Sequence, residues 1–139
     1  MAAARIPALL AARVAARAGY RCEYCHTPHA ITAQAFHADH IYPASRGGQT
    51  QFGNLCFACP HCNLHKGDQI EALDPRTRRH LPLFNPRTQN WDDHFRWSVD
   101  YRRLIGRSAT GRATVTALDL NTRVLMRARM MWAVLELIP

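Results

Sequence analysis

Apolar residues recur at helix or strand spacing in only a few windows, and those windows divide the chain. Ile6, Leu9, Leu10 and Val14 repeat at i, i+3, i+4 and i+8, which predicts a helix over residues 6–17. Pro7 suits its first turn, and Gly19 suits the position just past its end. Residues 35–42 read as a strand stopped by Pro43, and residues 53–57 as a second, short extended piece. Pro60 opens a helix that runs to about Lys66, with Gly67 as its stop. The order strand, loop, strand, helix is a ββα unit. Residues 74–86 carry Pro75, Pro82 and Pro86 and read as loop. Phe95, Trp97 and Val99 alternate with Arg96 and Ser98, a strand signature for which residues 102–106 are the return partner. Thr110 suits the N-cap of a helix through Leu118. A last helix begins near Asn121 or Thr122, with Val124, Leu125, Ala128, Met131, Trp132 and Leu135 as its apolar face.

Composition narrows the class. A chain of 139 residues, 47% hydrophobic and 20% charged, is globular, with a small core. The expected organisation is an N-terminal helix (residues 1–19), a core (20–73) and a largely helical C-terminal extension (74–139) packed on it. Eighteen Lys and Arg against ten Asp and Glu give a net charge of +8. That excess fits a polyanionic partner, nucleic acid or a membrane surface; a generally basic proteome is the duller explanation. No stretch approaches the roughly 20 apolar residues that cross a bilayer. The first nineteen residues are rich in Ala and Arg and free of acids, as transit peptides are. Arg13 and Arg17 interrupt the apolar run that a secretory signal needs.

Four of the five cysteines form two Cys-x-x-Cys turns, Cys22/Cys25 and Cys59/Cys62, 34 positions apart. Each turn offers two sulfurs on one side of a tight loop. Two turns make a closed tetrahedral zinc site, which is structural because no ligand position stays open. Metal needs reduced thiols, so the pattern points to the cytoplasm. Cys56 is the odd cysteine and reads as a small buried hydrophobe, or as an alternate ligand.

Between the turns lie Asp39-His40 and Asn54; Asn63 follows Cys62 directly. Phosphodiester hydrolysis needs a base for water, neutralisation of charge on phosphorus and stabilisation of the leaving oxygen. A histidine suits the first task. A divalent ion suits the other two, and Asp39 and the Asn63 amide oxygen are hard ligands appropriate to Mg2+ or Mn2+. Lys66, one turn beyond Asn63, and Arg46 in the loop are within plausible reach of a phosphate. Asp39 and His40 are adjacent, so both serve one site only if the strand end departs from regular alternation.

These positions together resemble the HNH endonuclease family, the ββα-metal or His-Me finger nucleases. The resemblance rests on Asp39-His40-Ile41-Tyr42-Pro43, Gly47-Gly48, Asn54-Leu55 and Cys59-Pro60-His61-Cys62-Asn63-Leu64-His65-Lys66, and covers about residues 20–70. Residues 83–87 and 111–115 are similar to the tail of one subgroup. The resemblance implies an α+β fold: a zinc-stabilised ββα core with an N-terminal helix and a helical C-terminal elaboration. It implies His40 as general base, Asp39 and Asn63 as ligands of the catalytic metal, and Asn54 as the brace that orients His40. It also implies DNA as substrate, approach of the helix from the minor-groove side, and products with 5′-phosphate and 3′-hydroxyl ends. The third letter is Asn63 rather than His, which makes the metal site harder and weaker. RNA suits the same charge. The alternative is a zinc-dependent module that binds nucleic acid without cleaving it.

The remaining candidates have structural readings beside functional ones. His37 is either a further ligand near Asp39 or a surface residue. His61 and His65 flank Asn63 and either touch phosphate or are solvated. His26 and His29 belong to the first knuckle loop. Asp92-Asp93-His94 lies between Trp91 and Phe95, which favours a packed surface strand over a metal site. Trp91, Trp97 and Trp132 are core residues before they are base-stacking platforms. Arg76, Arg78, Arg79 and Arg87 suit contact with a nucleic-acid backbone.

Overall fold

The computed structural model describes residues 5–139; residues 1–4, the start of the expected N-terminal helix segment, lie outside the described residues. The chain forms two compact units. One runs to Ile70 and regains Asn85–Thr88; the other comprises Glu71–Phe84 and Gln89–Pro139. The class is α+β, with five helices and three two-stranded antiparallel sheets among the described residues.

The first unit opens with α1 (Ala8–Arg17). Pro7 is its N-cap rather than its first helical residue, and Gly19 takes the left-handed φ of +62° beyond the end. Ile6, Leu10 and Val14 pack with Leu55 and Phe57, joined by Phe36 and Phe52. Leu9, expected on that face, is 83% exposed instead, at the edge of a narrower stripe. The knuckle of residues 20–29 follows, closed by a bridge between Arg21 and Pro28. Strand β1 (His37–His40) pairs antiparallel with β2 (Leu55–Ala58), with Asp39 opposite Cys56 and His40 opposite Leu55. All four β2 residues are buried. Helix α2 (Pro60–Lys66) starts and stops where Pro60 and Gly67 place it.

The intervening loop is held tightly. Gly48 donates its N–H to Pro43 O at 2.9 Å. A Cβ there would lie 1.8 Å from Tyr42 O, so only glycine allows this approach.

In the second unit the stretch expected as loop contains a strand, β4 (His80–Pro82), which forms a hairpin with β3 (Glu71–Leu73) just before it. Trp91–His94 is a single helical turn, α3, and not a strand. Strands β5 (Phe95–Trp97) and β6 (Leu104–Gly106) pair as the alternation suggests, while Val99 is fully exposed in the turn. Helix α4 (Ala109–Ala117) is capped by Ser108, whose Oγ accepts from Gly111 N–H at 2.9 Å; Thr110, the expected cap, is already helical. Helix α5 (Arg123–Val134) is capped by Thr122. Its inward face is only part of the apolar stripe of the sequence, namely Trp132 with half-buried Leu125 and Ala128. Trp132 is buried beside Arg129, whose guanidinium donates to the carbonyls of Arg102 and Leu120, whereas Val124, Met131 and Leu135 are about half or more exposed. Trp91, Trp97 and Trp132 form a chain of ring contacts with centroids 5.7 Å and 5.6 Å apart.

Asp74 anchors this unit. Its carboxylate is fully buried, pairs with Arg112 through two 3.0 Å bonds and accepts from Thr77 Oγ1 at 2.7 Å. Arg112 above all holds its pKa well below the usual carboxylate range. The native state therefore binds that proton more weakly than the unfolded chain. The stabilisation is complete above the unfolded value of about 3.9 and is lost as pH falls below it towards the native value. Urea titrations followed by tryptophan fluorescence, which reports this unit alone because it holds all three tryptophans, should show the midpoint falling below pH 4. Asp74→Asn should lower the midpoint at pH 7 and flatten that acid dependence; an unchanged profile contradicts the role.

Candidate functional site

The two knuckles meet because each is tied to β2. Glu23, between Cys22 and Cys25, donates its N–H to Phe57 O at 2.9 Å, and its carboxylate accepts from Phe57 N–H at 2.8 Å. Arg87 forms an ion pair with the other Glu23 oxygen, so this arginine is structural. The chain then leaves β2 directly into Cys59, the N-cap of α2. Cys22, Cys25, Cys59 and Cys62 are all buried, with their sulfur atoms within 4.8 Å of one another. Cys25 and Cys59 sulfurs are 3.7 Å apart, and a zinc tetrahedron with bonds of about 2.3 Å has edges of about 3.8 Å. Cys59 Sγ accepts the Cys62 N–H at 3.4 Å, and Cys25 Sγ lies 3.1 Å from Thr27 Oγ1. Burial pushes the Cys22 thiol well up, while hydrogen bonds from its sulfur neighbours pull Cys25 well down. Four buried sulfurs this close can all be thiolates only around a cation, and the donor set is that of a structural zinc site. Cys56 stays outside the cluster. It is fully buried, 3.6 Å from Tyr24 Oη, and burial raises its pKa to about 12.

A cleft of about 370 Å³ opens at the end of β1. Asp39, His40 and Asn63 all border it, as do His37, Ser45 and Asp68. Strand β1 ends at His40, and the pairing closes with Ile41 N–H donating to Asn54 O at 2.9 Å. His40 is 8% exposed, and its Nε2 lies 2.9 Å from Thr50 Oγ1. Asp39 Oδ2 is buried and has no hydrogen-bond partner among the described residues. Burial pushes the Asp39 carboxyl up, opposed chiefly by the Lys66 ammonium. A buried carboxylate oxygen without a hydrogen-bond donor is costly, and the Lys66 ammonium, 3.9 Å away, offsets that cost by charge alone.

Asn54 stitches the loop between the strands. Its Oδ1 accepts from Tyr42 N–H at 2.9 Å, and its Nδ2 donates to Tyr42 O at 3.1 Å and Gln49 O at 2.9 Å. Both ends of residues 42–49 are thereby held, with Thr50 next in line. Lys66 does not face outward, where a phosphate would stand. It is 2% exposed, its Nζ donating to His40 O at 3.1 Å and lying 3.9 Å from Asp39 Oδ2. Arg46 is exposed, but its Nε donates to Asp68 O at 2.8 Å, which ties the loop to the end of α2.

Two contributors escaped sequence reasoning. Thr50 has no motif to mark it; its signal is a hydroxyl residue just before the segment that carries Asn54. Arg17 donates to Phe52 O at 2.7 Å and Leu55 O at 2.5 Å and stacks 3.7 Å over the Phe52 ring. It thus clamps both sides of Asn54 from α1. His61 and His65 stack on each other at 4.1 Å.

Among known families, residues 22–69 match the model described as HNH endonuclease. Searches of curated proteins and of solved structures gave no match. No helix of the described residues is long and apolar enough to cross a membrane.

The sulfur cluster sets a direct test. Cys59→Ser should lose the bound zinc and, with it, on the order of 10 kcal/mol of folding free energy, leaving residues 20–70 unfolded. Metal analysis beside amide exchange checks this; retained zinc with native protection at Asp39, His40 and Asn63 contradicts it.

Proposed function

From the premise that residues 22–69 form a domain of the HNH endonuclease family, we propose that this protein is a metal-dependent endonuclease acting on DNA phosphodiester bonds. The observation that carries this is the convergence of Asp39, His40 and Asn63 on one cleft, with Asp39 Oδ2 buried and lacking a donor. Asp39 and the Asn63 amide oxygen are the donors that would hold Mg2+ or Mn2+, and both are hard oxygen ligands. Such an ion, when bound, supplies Lewis-acid neutralisation of charge on the scissile phosphate.

The chain's own residues do the rest. His40 is the general base that takes the proton of the attacking water. With its proton on Nε2 and donated to Thr50 Oγ1, the Nδ1 lone pair is the basic one. Thr50 is thus a positioning residue, fixed in turn by the Asn54 bonds to the loop before it. Lys66 holds the His40 carbonyl and offsets the Asp39 charge, so it positions both groups without touching substrate. Hydrolysis leaves 5′-phosphate and 3′-hydroxyl ends.

Supercoiled plasmid incubated with a panel of divalent ions tests the proposal. Nicking should appear with Mg2+ or Mn2+. His40→Ala should lower the rate by roughly 10²-fold or more while binding persists. Equal rates in that variant would remove His40 from the mechanism. Absence of nicking with every ion, with DNA still bound, would leave a zinc-dependent binding module instead.

A further inference from the structure

The tip of the β3–β4 hairpin carries charge that no other group among the described residues uses. Residues 74–79 read Asp-Pro-Arg-Thr-Arg-Arg, and Arg76, Arg78 and Arg79 are all exposed. None of these three side chains makes a hydrogen bond or ion pair with the described residues. Many other arginines are committed internally: Arg17 to α1–β2 packing, Arg46 to Asp68, Arg87 to Glu23, Arg112 to Asp74 and Arg129 to the carbonyls around α5.

A run of arginines on a loose loop would be an ordinary solvated face. This turn is built differently. The buried Asp74 carboxylate accepts from Arg76 N–H at 3.1 Å and from the Thr77 N–H and hydroxyl, while Arg112 grips it from α4. The backbone closes on itself at 2.8 Å twice, Asp74 N–H to Arg79 O and Arg78 N–H to Asp74 O. Arg78 takes a left-handed φ of +61°, which sets the direction of the turn between its neighbours. Three cationic side chains therefore stand on a fixed base. Less ordering entropy remains to be lost on binding, which favours a partner offering several anions at regular spacing. The guanidinium fork matches phosphate oxygens, and phosphate contacts require charge and reach without base identity.

We infer that the β3–β4 turn is a separate nucleic-acid contact, at which Arg76, Arg78 and Arg79 hold the phosphate backbone independently of sequence. It rests on the nuclease reading of the cleft for the identity of the partner, but uses none of the cleft residues.

The test is fluorescence anisotropy of the full chain with a labelled DNA duplex of arbitrary sequence, from 50 to 200 mM KCl without added Mg2+ or Mn2+. Plasmid nicking is run in parallel. R76A/R78A/R79A should lower the slope of log affinity against log salt by about 3 and weaken binding on the order of 10- to 100-fold. R76K/R78K/R79K should keep the wild-type slope, and native tryptophan fluorescence should confirm that each variant is folded. A charge-matched control, R96A/R123A/R127A, should lose much less. Equal losses in the two alanine triples would overturn the inference, because net charge alone would then explain binding. An unchanged slope in R76A/R78A/R79A, with the wild type still nicking plasmid, would overturn it and leave the nuclease reading standing. A wild type that neither binds nor nicks DNA would overturn both.

Discussion

Four buried sulfurs drawn to within 4.8 Å of one another are the constraint on which the first unit depends. The ββα element has little apolar interior: a four-residue strand pair, a seven-residue helix and one cluster around Val14, Leu55 and Phe57. Elements this short do not hold a site to sub-ångström tolerance by burial alone. The sulfur cluster links the knuckle of residues 20–29 to the start of α2, and Asn63 follows the fourth sulfur by one residue. Its placement relative to Asp39 is therefore set by the cluster at one end and by the Lys66 bond to His40 O at the other. An ion held by four thiolates has no vacant position, so its contribution is to geometry.

Around that frame, charge is divided between holding and reaching. Lys66, Arg17, Arg46 and Arg87 belong to a sequence that looks uniformly basic, yet each is committed to a carbonyl or carboxylate of its own unit. Lys66 is the clearest case. A buried ammonium beside a half-buried carboxylate is costly to leave unpaired, and here each limits the cost of the other. Net charge thus says little about which cations face a partner; exposure and hydrogen bonding decide it.

Much of the core was legible because its signals are local and redundant. Pro60 and Gly67 bracket α2, and the two Cys-x-x-Cys turns mark the cluster. Alternation at Phe95 to Val99 marks β5, although Val99 itself lies past the strand's end. What stayed hidden depends on long-range partners. The β3–β4 hairpin has three residues per strand and no apolar alternation, and its anchor, Asp74, finds Arg112 38 positions away. The buried face of α5 is only partly apolar, because beside Trp132 it contains Arg129, whose burial is offset by carbonyls of Arg102 and Leu120. In the cleft, residue types and spacing marked Asp39, His40, Asn54 and Asn63 as candidates. The orientation of Lys66 and the presence of Thr50 at His40 needed coordinates.

The proposed nuclease would use two ions with different duties, one enclosed by the four sulfurs and one held by oxygen donors in the cleft. X-ray absorption at the zinc edge, before and after addition of DNA with Mg2+ or Mn2+, separates them most directly. Four sulfur neighbours at about 2.3 Å, unaltered by substrate, are the predicted result. A nitrogen or oxygen neighbour, or a shell that changes when DNA is added, would contradict the account by placing the zinc in the chemistry.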